Sequence, residues 1–535
     1  MQNLFIEYLF IILIILGLVM LANKLKLAYP IVLVLGGLAL SFTSPFSHVY
    51  IEPELVFFVF LPPLLYEAAW QTSWKEFWKW RRVISGFAFP IVIITSCVVA
   101  LVSNALIPGF TLALGFLLGG IISPPDAISA TTIMRKLPVP RSLVSIIEGE
   151  SLLNDASSLI VFRFALAAVI TGQFHFGTAT GSFFTVIIMG ALIGLVIGFI
   201  FYAIHRWLPT TSSIETVLTL VTPYCMYYFA EHYHYSGVLA VVSGGLLLSS
   251  NRQRMLTYRS RIESVNVWTN LVFVLNGIVF LLIGLQLPFI ANQLGETGMS
   301  TAIWYGLAIS LTLVITRLLT TFGTVLFTKF MSQFITVADR NPGWKLPLVA
   351  GWAGMRGVVS LAAALSIPLL GQDGQAFPFR NLILFITFVV ILVTLVVQGL
   401  TLPWLIRKVR PTEREGLMSH SLQELTIQRE IASRSVEFLE ARYNDEWADN
   451  NFLKNLHATY SLGLQYYDAR LNHNMGTLGE LQAGYQQVYL ELLEQQRLTL
   501  IRLNSETELD DELIRKYLSL IDLEEYKLRE KIILD

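Results

Sequence analysis

Apolar stretches recur almost without pause through the first 410 residues, starting near residues 4, 29, 53, 83, 109, 143, 182, 214, 236, 265, 301, 346 and 380. A membrane-spanning helix needs about 20 consecutive apolar residues, and several of the stretches exceed that length. With 54% hydrophobic and 14% charged residues and a mean hydropathy of +0.61, the chain lies outside the composition of a soluble globular protein. It reads as an all-α polytopic membrane protein with about thirteen transmembrane helices. The first stretch, Leu4 to Leu21, lacks a basic leader and reads as a retained span rather than a cleaved signal.

Charge divides the chain at Pro411. Residues 1–410 hold 24 Lys+Arg against 15 Asp+Glu, and residues 411–535 hold 13 against 23. The first part is read as the transmembrane domain. The second interleaves charged and apolar residues at helical spacing, as in Glu480 to Leu503, and is expected to form a helical hairpin or bundle that serves packing or dimerisation. When loops are assigned alternately to the two sides, twenty basic residues, among them Lys75, Arg82, Arg135, Arg254, Arg340 and Arg407, fall on one side and Arg380 alone on the other. The positive-inside rule then puts the amino terminus outside and the tail in the cytoplasm. Cys97 and Cys225 both lie in apolar spans, so no disulfide framework or thiolate metal site is indicated. No GxxxxGK[ST] nucleotide loop and no Cys/His cluster is present, which argues against an ATP-driven pump and a transition metal. Nothing calls for a cofactor or a nucleic-acid partner.

Thirteen spans allow two six-helix halves related by inversion, with span 7 as connector. The fifth span of each half is interrupted: span 5 by Gly119-Gly120 and Ser123-Pro124-Pro125-Asp126, span 12 by Gly351, Gly354 and Gly357 around Arg356. Paired breaks at corresponding positions point to a transporter's site near the bilayer midplane.

The segment from Leu143 to Ile170 carries Gly149-Glu150-Ser151-Leu152-Leu153-Asn154-Asp155. Ionisable groups at such depth are functional candidates by default. At 1.5 Å per residue, Asp155 stands roughly 18 Å into its helix and Asp126 roughly 12 Å from the cytoplasmic end of its own. Ser151 and Asp155 share a helix face, whereas Glu150 points roughly 140° away from Asp155. The two acids of this helix therefore take different roles. Burial among Leu152, Leu153 and Leu159 disfavours the charged form of Asp155, so a proton and a small cation would compete for it. Ser151, Asn154, Asp126 and backbone carbonyls freed at Pro124-Pro125 supply further oxygens of the kind hard cations accept. Arg317 and Arg356 are the other deep charges; Arg317 is the favoured partner of Glu150, with Arg356 stabilising the broken helix ends. Arg163 is read as snorkelling at the outer end of span 6. Glu67 is either an ion ligand or an entrance charge, and His232 and His234 are read as exposed.

The stretches FLPPLLYEAAW (60–70), GGIISPPDAIS (119–129), IEGESLLNDASSLIVF (147–162) and GWAGMRGVVSLAAAL (351–365) resemble the cation:proton antiporter family 1, the sodium/proton exchangers of bacteria and animals. The similarity runs in matching order through most of residues 1–410 and is nearest to the bacterial members. It implies a homodimer in the bacterial inner membrane. Spans 1–3 and 7–10 would form the dimerisation part, and spans 4–6 and 11–13 an ion-carrying core that moves like an elevator. It implies Na⁺ at Asp155, Asp126 and Ser151, with the backbone carbonyl of Pro125 nearby, Glu67 at the edge of the site, Asn154 in an Asn-Asp pair, and a core ion pair between Glu150 and Arg317. Asn154 in place of a second Asp implies electroneutral exchange of one Na⁺, Li⁺ or K⁺ for one H⁺. Asn276 and Pro125 depart from the family pattern, Asn276 standing where animal exchangers commonly carry Glu. The rival readings are a cation channel selecting through Asp126 and Asp155 and an ion-binding membrane sensor that signals through the tail.

Overall fold

The computed structural model describes residues 2–43, 56–172, 176–292, 294, 298–334, 343–370, 375–411, 420–443, 450–472, 478–506 and 511–533. The start of the third apolar stretch, near residue 53, and Arg340 lie outside them. The chain divides into two units, Met1–Glu413 and Arg414–Asp535. Among the described residues both are helical, without a strand.

In the first unit, α1 (Gln2–Leu25) and α2 (Tyr29–Ser41) are followed by a π-helical turn, Val56–Phe60, that runs into α3 (Leu61–Gln71). Ser73 caps α4 (Trp74–Gly86), its hydroxyl accepting from the Glu76 N–H, and a second π-helical turn, Phe87–Ile91, joins α4 to α5 (Val92–Leu106). Pro90 sits inside that turn, where its missing N–H costs the ladder least. Lys75, Lys79, Arg81 and Arg82, expected in a loop, are thus on a helix, because Ser73 offers a cap and the residues after it place Phe77, Ile84 and the tryptophans on one side.

A broken pair follows, α6 (Leu112–Ile122) and α7 (Ala127–Met134), and then the long α8 (Arg141–Thr171). Next come α9 (Phe176–Trp207), α10 (Ser212–His232), α11 (Gly237–Met255), α12 (Tyr258–Leu285), the short α13 (Leu287–Asn292) and α14 (Met299–Met331). A second broken pair, α15 (Lys345–Trp352) and α16 (Val358–Leu365), precedes α17 (Arg380–Val393), which continues through a π-helical turn into α18 (Gly399–Val409). Among the described residues, seven helical passages are long and apolar enough to cross a membrane: Trp74–Leu106, Leu112–Met134, Arg141–Thr171, Gly181–Trp207, Tyr258–Leu285, Met299–Met331 and Arg380–Val409. The first two apolar stretches form α1, 24 residues long, and α2, 13 residues long.

Small residues let these helices close up, as expected where lipid gives no hydrophobic drive to association. Gly190, Gly194 and Gly198 form a four-residue repeat on α9, and a Cβ at Gly194 would stand 2.0 Å from the Ala240 carbonyl of α11. Gly37 of α2 and Gly284 of α12 meet in the same way, as do Gly115 and Gly119 of α6 against α5. The largest apolar cluster joins α6, α12, α16 and α17; a second joins α3, α10 and α11.

In the second unit α19 (His420–Tyr443) packs on α20 (Asn451–Leu471), and α21 (Leu478–Glu506) on α22 (Asp511–Ile533). Arg429 meets Asp468 at 2.5 Å across the first pair, and Arg497 meets Asp522 at 2.8 Å and Glu525 at 2.7 Å across the second.

Candidate functional site

The two broken pairs cross each other. Where α6 stops, Asp126 caps the start of α7: its Oδ1 accepts the Ile128 N–H at 3.1 Å and its Oδ2 the Ser129 hydroxyl at 3.3 Å. The Asp126 N–H donates to the Met355 carbonyl at 2.7 Å, in the gap between α15 and α16. So close an approach needs a glycine opposite, since a Cβ on Gly357 would lie 2.7 Å from the Asp126 Cβ. Arg356, 1% exposed, answers the other loose end. Its Nε donates to the Ile122 carbonyl at 2.8 Å, its Nη2 to the Ser123 carbonyl at 3.2 Å, and its backbone N–H to Thr394 Oγ1 at 3.1 Å. These carbonyls terminate α6, lack partners within the helix and carry the negative end of its dipole, so a cation satisfies both needs.

Helix α8 ties the α6–α7 break from the side. Asn154 Nδ2 donates to the Pro125 carbonyl at 2.9 Å, Ser151 Oγ accepts the Ala127 N–H at 3.3 Å, and the Ser158 hydroxyl donates to the Gly120 carbonyl. On another face Glu150 meets Arg317 of α14 through two parallel contacts, 2.5 and 2.6 Å. The guanidinium also lies 5.2 Å from the centre of the Phe87 ring.

Between α3, α7, α8, α12 and α16 lies a cavity of about 320 Å³ bordered by Asp126, Ser151, Asp155 and Glu67. Asp155, 8% exposed, makes no hydrogen bond or ion pair with a described residue, in contrast to Asp126. Glu67 accepts from the Gln71 amide. Asn154 and Pro125, expected among the ion ligands, are bonded to each other and do not border the cavity. Toward the ends of α7 and α8 the cavity reaches the exposed Arg135, paired with Glu148 at 3.0 Å. At its other end Phe60, Leu275 and Val279 pack with Leu64 and Val358. The Val409 end of α18 packs with Ile133, Met134 and Leu143, so the chain leaves this unit at the Arg135 end.

Arg163 does not merely snorkel: it pairs with Glu231 at 2.7 Å, because α10 brings that carboxylate to the same level. His232 stacks on Tyr228 in the last turn of α10, and His234 adopts a positive φ of 61° in the turn beyond. The sequence reading missed Glu148, Arg135, Thr131, Thr132, Asn276 and Ser360 as cavity residues. Glu148 was open to discovery, since residues 148, 151 and 155 follow the i, i+3, i+7 spacing of one helix face. Asn276 and Ser360 reach the cavity from other helices. Among the described residues no group of three His, Cys, Asp or Glu side chains stands together as a metal site.

Crossed helix breaks holding two acids beside a cavity, within an all-helical body of apolar spans, define a polytopic membrane protein with an interrupted-helix centre. The family described as sodium/hydrogen exchanger, transmembrane, matches residues 10–408, and the chain belongs to that family. It is 30% identical to the protein named as uncharacterised Na⁺/H⁺ exchanger YjcE of Escherichia coli (strain K12), across 96% of each chain. It is 35% identical to the sodium, potassium, lithium and rubidium/H⁺ antiporter of Bacillus subtilis (strain 168), over 69% of this chain and 56% of that one. The sodium proton antiporter MjNhaP1 of Methanocaldococcus jannaschii shares the fold, with a TM-score of 0.59 and 18% identity over 76% of this chain and 99% of that one.

Proposed function

We propose that this protein exchanges a monovalent cation for a proton across the membrane, with Asp155 binding one or the other in turn. Sodium is the first candidate. Lithium and potassium follow, in keeping with the cations named for the Bacillus subtilis relative. The single observation that carries this reading is the contrast between the two acids: Asp126 is already engaged as a helix cap, whereas Asp155 borders the same cavity without a partner among the described residues. A carboxylate held in low dielectric without a fixed counter-ion accepts whichever cation neutralises it. Ser151 and Asp126 lie beside it as further oxygen ligands, Glu67 acts at the entrance, and Asn154 and the Pro125 carbonyl hold the break in shape. Glu150, Arg317 and Arg356 keep the moving core intact.

The access path supports alternating exposure. The cavity reaches solvent at the Arg135 end and is stopped by apolar side chains at the other. In the proposed topology of thirteen spans in two inverted halves, the Arg135 end is cytoplasmic, the amino terminus outside, and the tail within the cell. The ion-carrying spans 4–6 and 11–13 move against a dimerisation part, spans 1–3 and 7–10, in a bacterial inner-membrane homodimer. Neutralisation of one acid by one cation or one proton makes the exchange electroneutral.

The decisive experiment is Asp155→Asn in proteoliposomes. Exchange is lost, while the variant elutes and melts like the parent because no hydrogen bond is removed. Near-normal proton release on sodium addition would overturn the assignment, and turnover that changes with clamped voltage would overturn electroneutrality.

A further inference from the structure

A second and larger space, about 1050 Å³, lies between α4 and α14 on one side and α9 and α11 on the other. Its length is apolar, with Leu153, Leu195, Leu239, Val242, Leu246 and Phe327 in the wall. One end gathers Lys79, Arg81 and Arg82 with Trp74 and Trp78, and among the described residues no acid borders the space. Glu76, on the same helix, stands 3.8 Å from Lys79 and accepts the Trp80 indole N–H at 3.2 Å, outside the lining. Arg81 is fixed in place: its guanidinium lies 4.4 Å from the centre of the Trp78 ring and Nη1 donates to the Trp78 carbonyl at 2.6 Å. Trp74 and Trp78 are 44% and 54% exposed, and tryptophans at such positions mark the headgroup level of a bilayer.

An occupant has to satisfy two demands at once, a long apolar wall and a cluster of cations at headgroup height. A sterol or neutral chain meets the first alone, and a soluble anion the second alone. A second copy of this unit is a poor match, because residues 1–410 are themselves basic, with 24 Lys+Arg against 15 Asp+Glu. We propose that an anionic diacyl phospholipid binds here, its phosphate on Lys79, Arg81 and Arg82 and an acyl chain along α9 and α11. Basic pockets between membrane helices on the positive-inside face recognise such headgroups. The binding does not depend on which ion the protein carries.

The test is native mass spectrometry of the purified full chain, delipidated and then titrated with phosphatidylglycerol or with phosphatidylcholine of the same acyl chains. One phosphatidylglycerol per protomer is expected to be retained with a preference of about ten-fold or more. Each cation near a headgroup is worth about a five-fold change in affinity, so Arg81→Gln with Arg82→Gln lowers retention about 25-fold. Leu195→Trp keeps all three cations but fills the slot, and it also releases the lipid. Size-exclusion elution shows that each variant is folded, and should the double variant fail there, Leu195→Trp and Lys79→Gln decide the matter. Equal retention of the two lipids, a preference unchanged by both the charge and the slot variants, or cysteine cross-linking of two copies through position 78 would each overturn the proposal.

Discussion

Among the described residues, Glu150 is the acid paired within a cluster that holds two buried arginines, and its removal should cost more than removal of either partner's charge. Arg317 and Arg356 are 2% and 1% exposed, and both flank Gly354, where a Cβ would stand 3.0 Å from Arg356 Nη1 and 3.4 Å from Arg317 Nε. Glu150→Gln breaks two charge-assisted contacts of 2.5 and 2.6 Å and leaves two cations facing each other in low dielectric. Breaking a buried pair costs about 3–5 kcal/mol, and this variant belongs at the upper end. Arg317→Gln strands Glu150 instead, but the Arg356 charge remains close by and one cation–cation repulsion disappears, so its cost falls at the lower end. Replacing the pair together, Glu150→Leu with Arg317→Met, removes both charges and leaves Arg356 on its carbonyls, so most of the stability returns. The assay is the apparent melting temperature of the purified protein in detergent, read by fluorescence size-exclusion. Losses of about 5–10 °C are expected for the single variants, larger for Glu150→Gln. The reasoning fails if Arg317→Gln proves the more damaging, or if the double variant melts no higher than the worse single one.

Gly357→Ala forces a Cβ to within 2.7 Å of the Asp126 side chain and threatens the 2.7 Å bond from Asp126 N–H to the Met355 carbonyl; a loss of about 1–3 kcal/mol is expected, measured as a lower melting temperature together with slower exchange. Asn154→Ala and Asn154→Asp both remove the donor to the buried Pro125 carbonyl, at about 1–3 kcal/mol, and should lower the melting temperature where Asp155→Asn leaves it unchanged; equal melting of all three would contradict the division of roles. In the second unit the Arg497 guanidinium holds the Glu525 carboxyl below its ordinary value of 4.5. A lowered acid contributes stability above its unfolded value and loses it as pH falls through its folded value, so pairing of α21 with α22 is constant from pH 7 to about 5 and weakens below 4.5. Because these groups are exposed the effect is small, and hydrogen exchange in the full-length Arg497→Gln variant should rise in both helices, whereas protection equal to the parent would refute the link.

The helical class and the two breaks were legible because apolar length, paired Pro-Pro and spaced glycines act locally, within a turn or two of the residues concerned. The capping of α4 by Ser73 was equally local and was hidden by the charges that follow it, which read as a loop between spans. What the sequence could not carry was mutual distance. Nothing in Glu231 announces Arg163, nor in Asn276 and Ser360 the cavity they share with Asp155, because each pairing depends on how far one helix slides along another. Ionisable residues were the partial exception: a deep Glu demands a cation, only two arginines lay deep enough, and the choice between them followed from one having helix ends to serve.

Interrupting two helices within the membrane domain creates four ends whose backbone groups need partners, and each group left unpaired in hydrocarbon costs several kcal/mol. The chain meets this demand with few residues. Arg356 takes the carbonyls that end α6, Asp126 takes the Ile128 amide and the Ser129 hydroxyl at the start of α7, and one backbone bond to Met355 ties the two gaps together. That solution constrains the ion chemistry. A carboxylate that accepts two hydrogen bonds as a cap is tied to the start of α7, because giving up either bond would loosen that helix end. Asp155 owes nothing to the fold, since the neighbouring Ser151, Asn154 and Ser158 make the ties to the break. An acid that makes none of these ties, beside one that caps a helix, can change its partner without disturbing the helices around it, and this separation of duties is what the exchange proposed above would require of a single buried group.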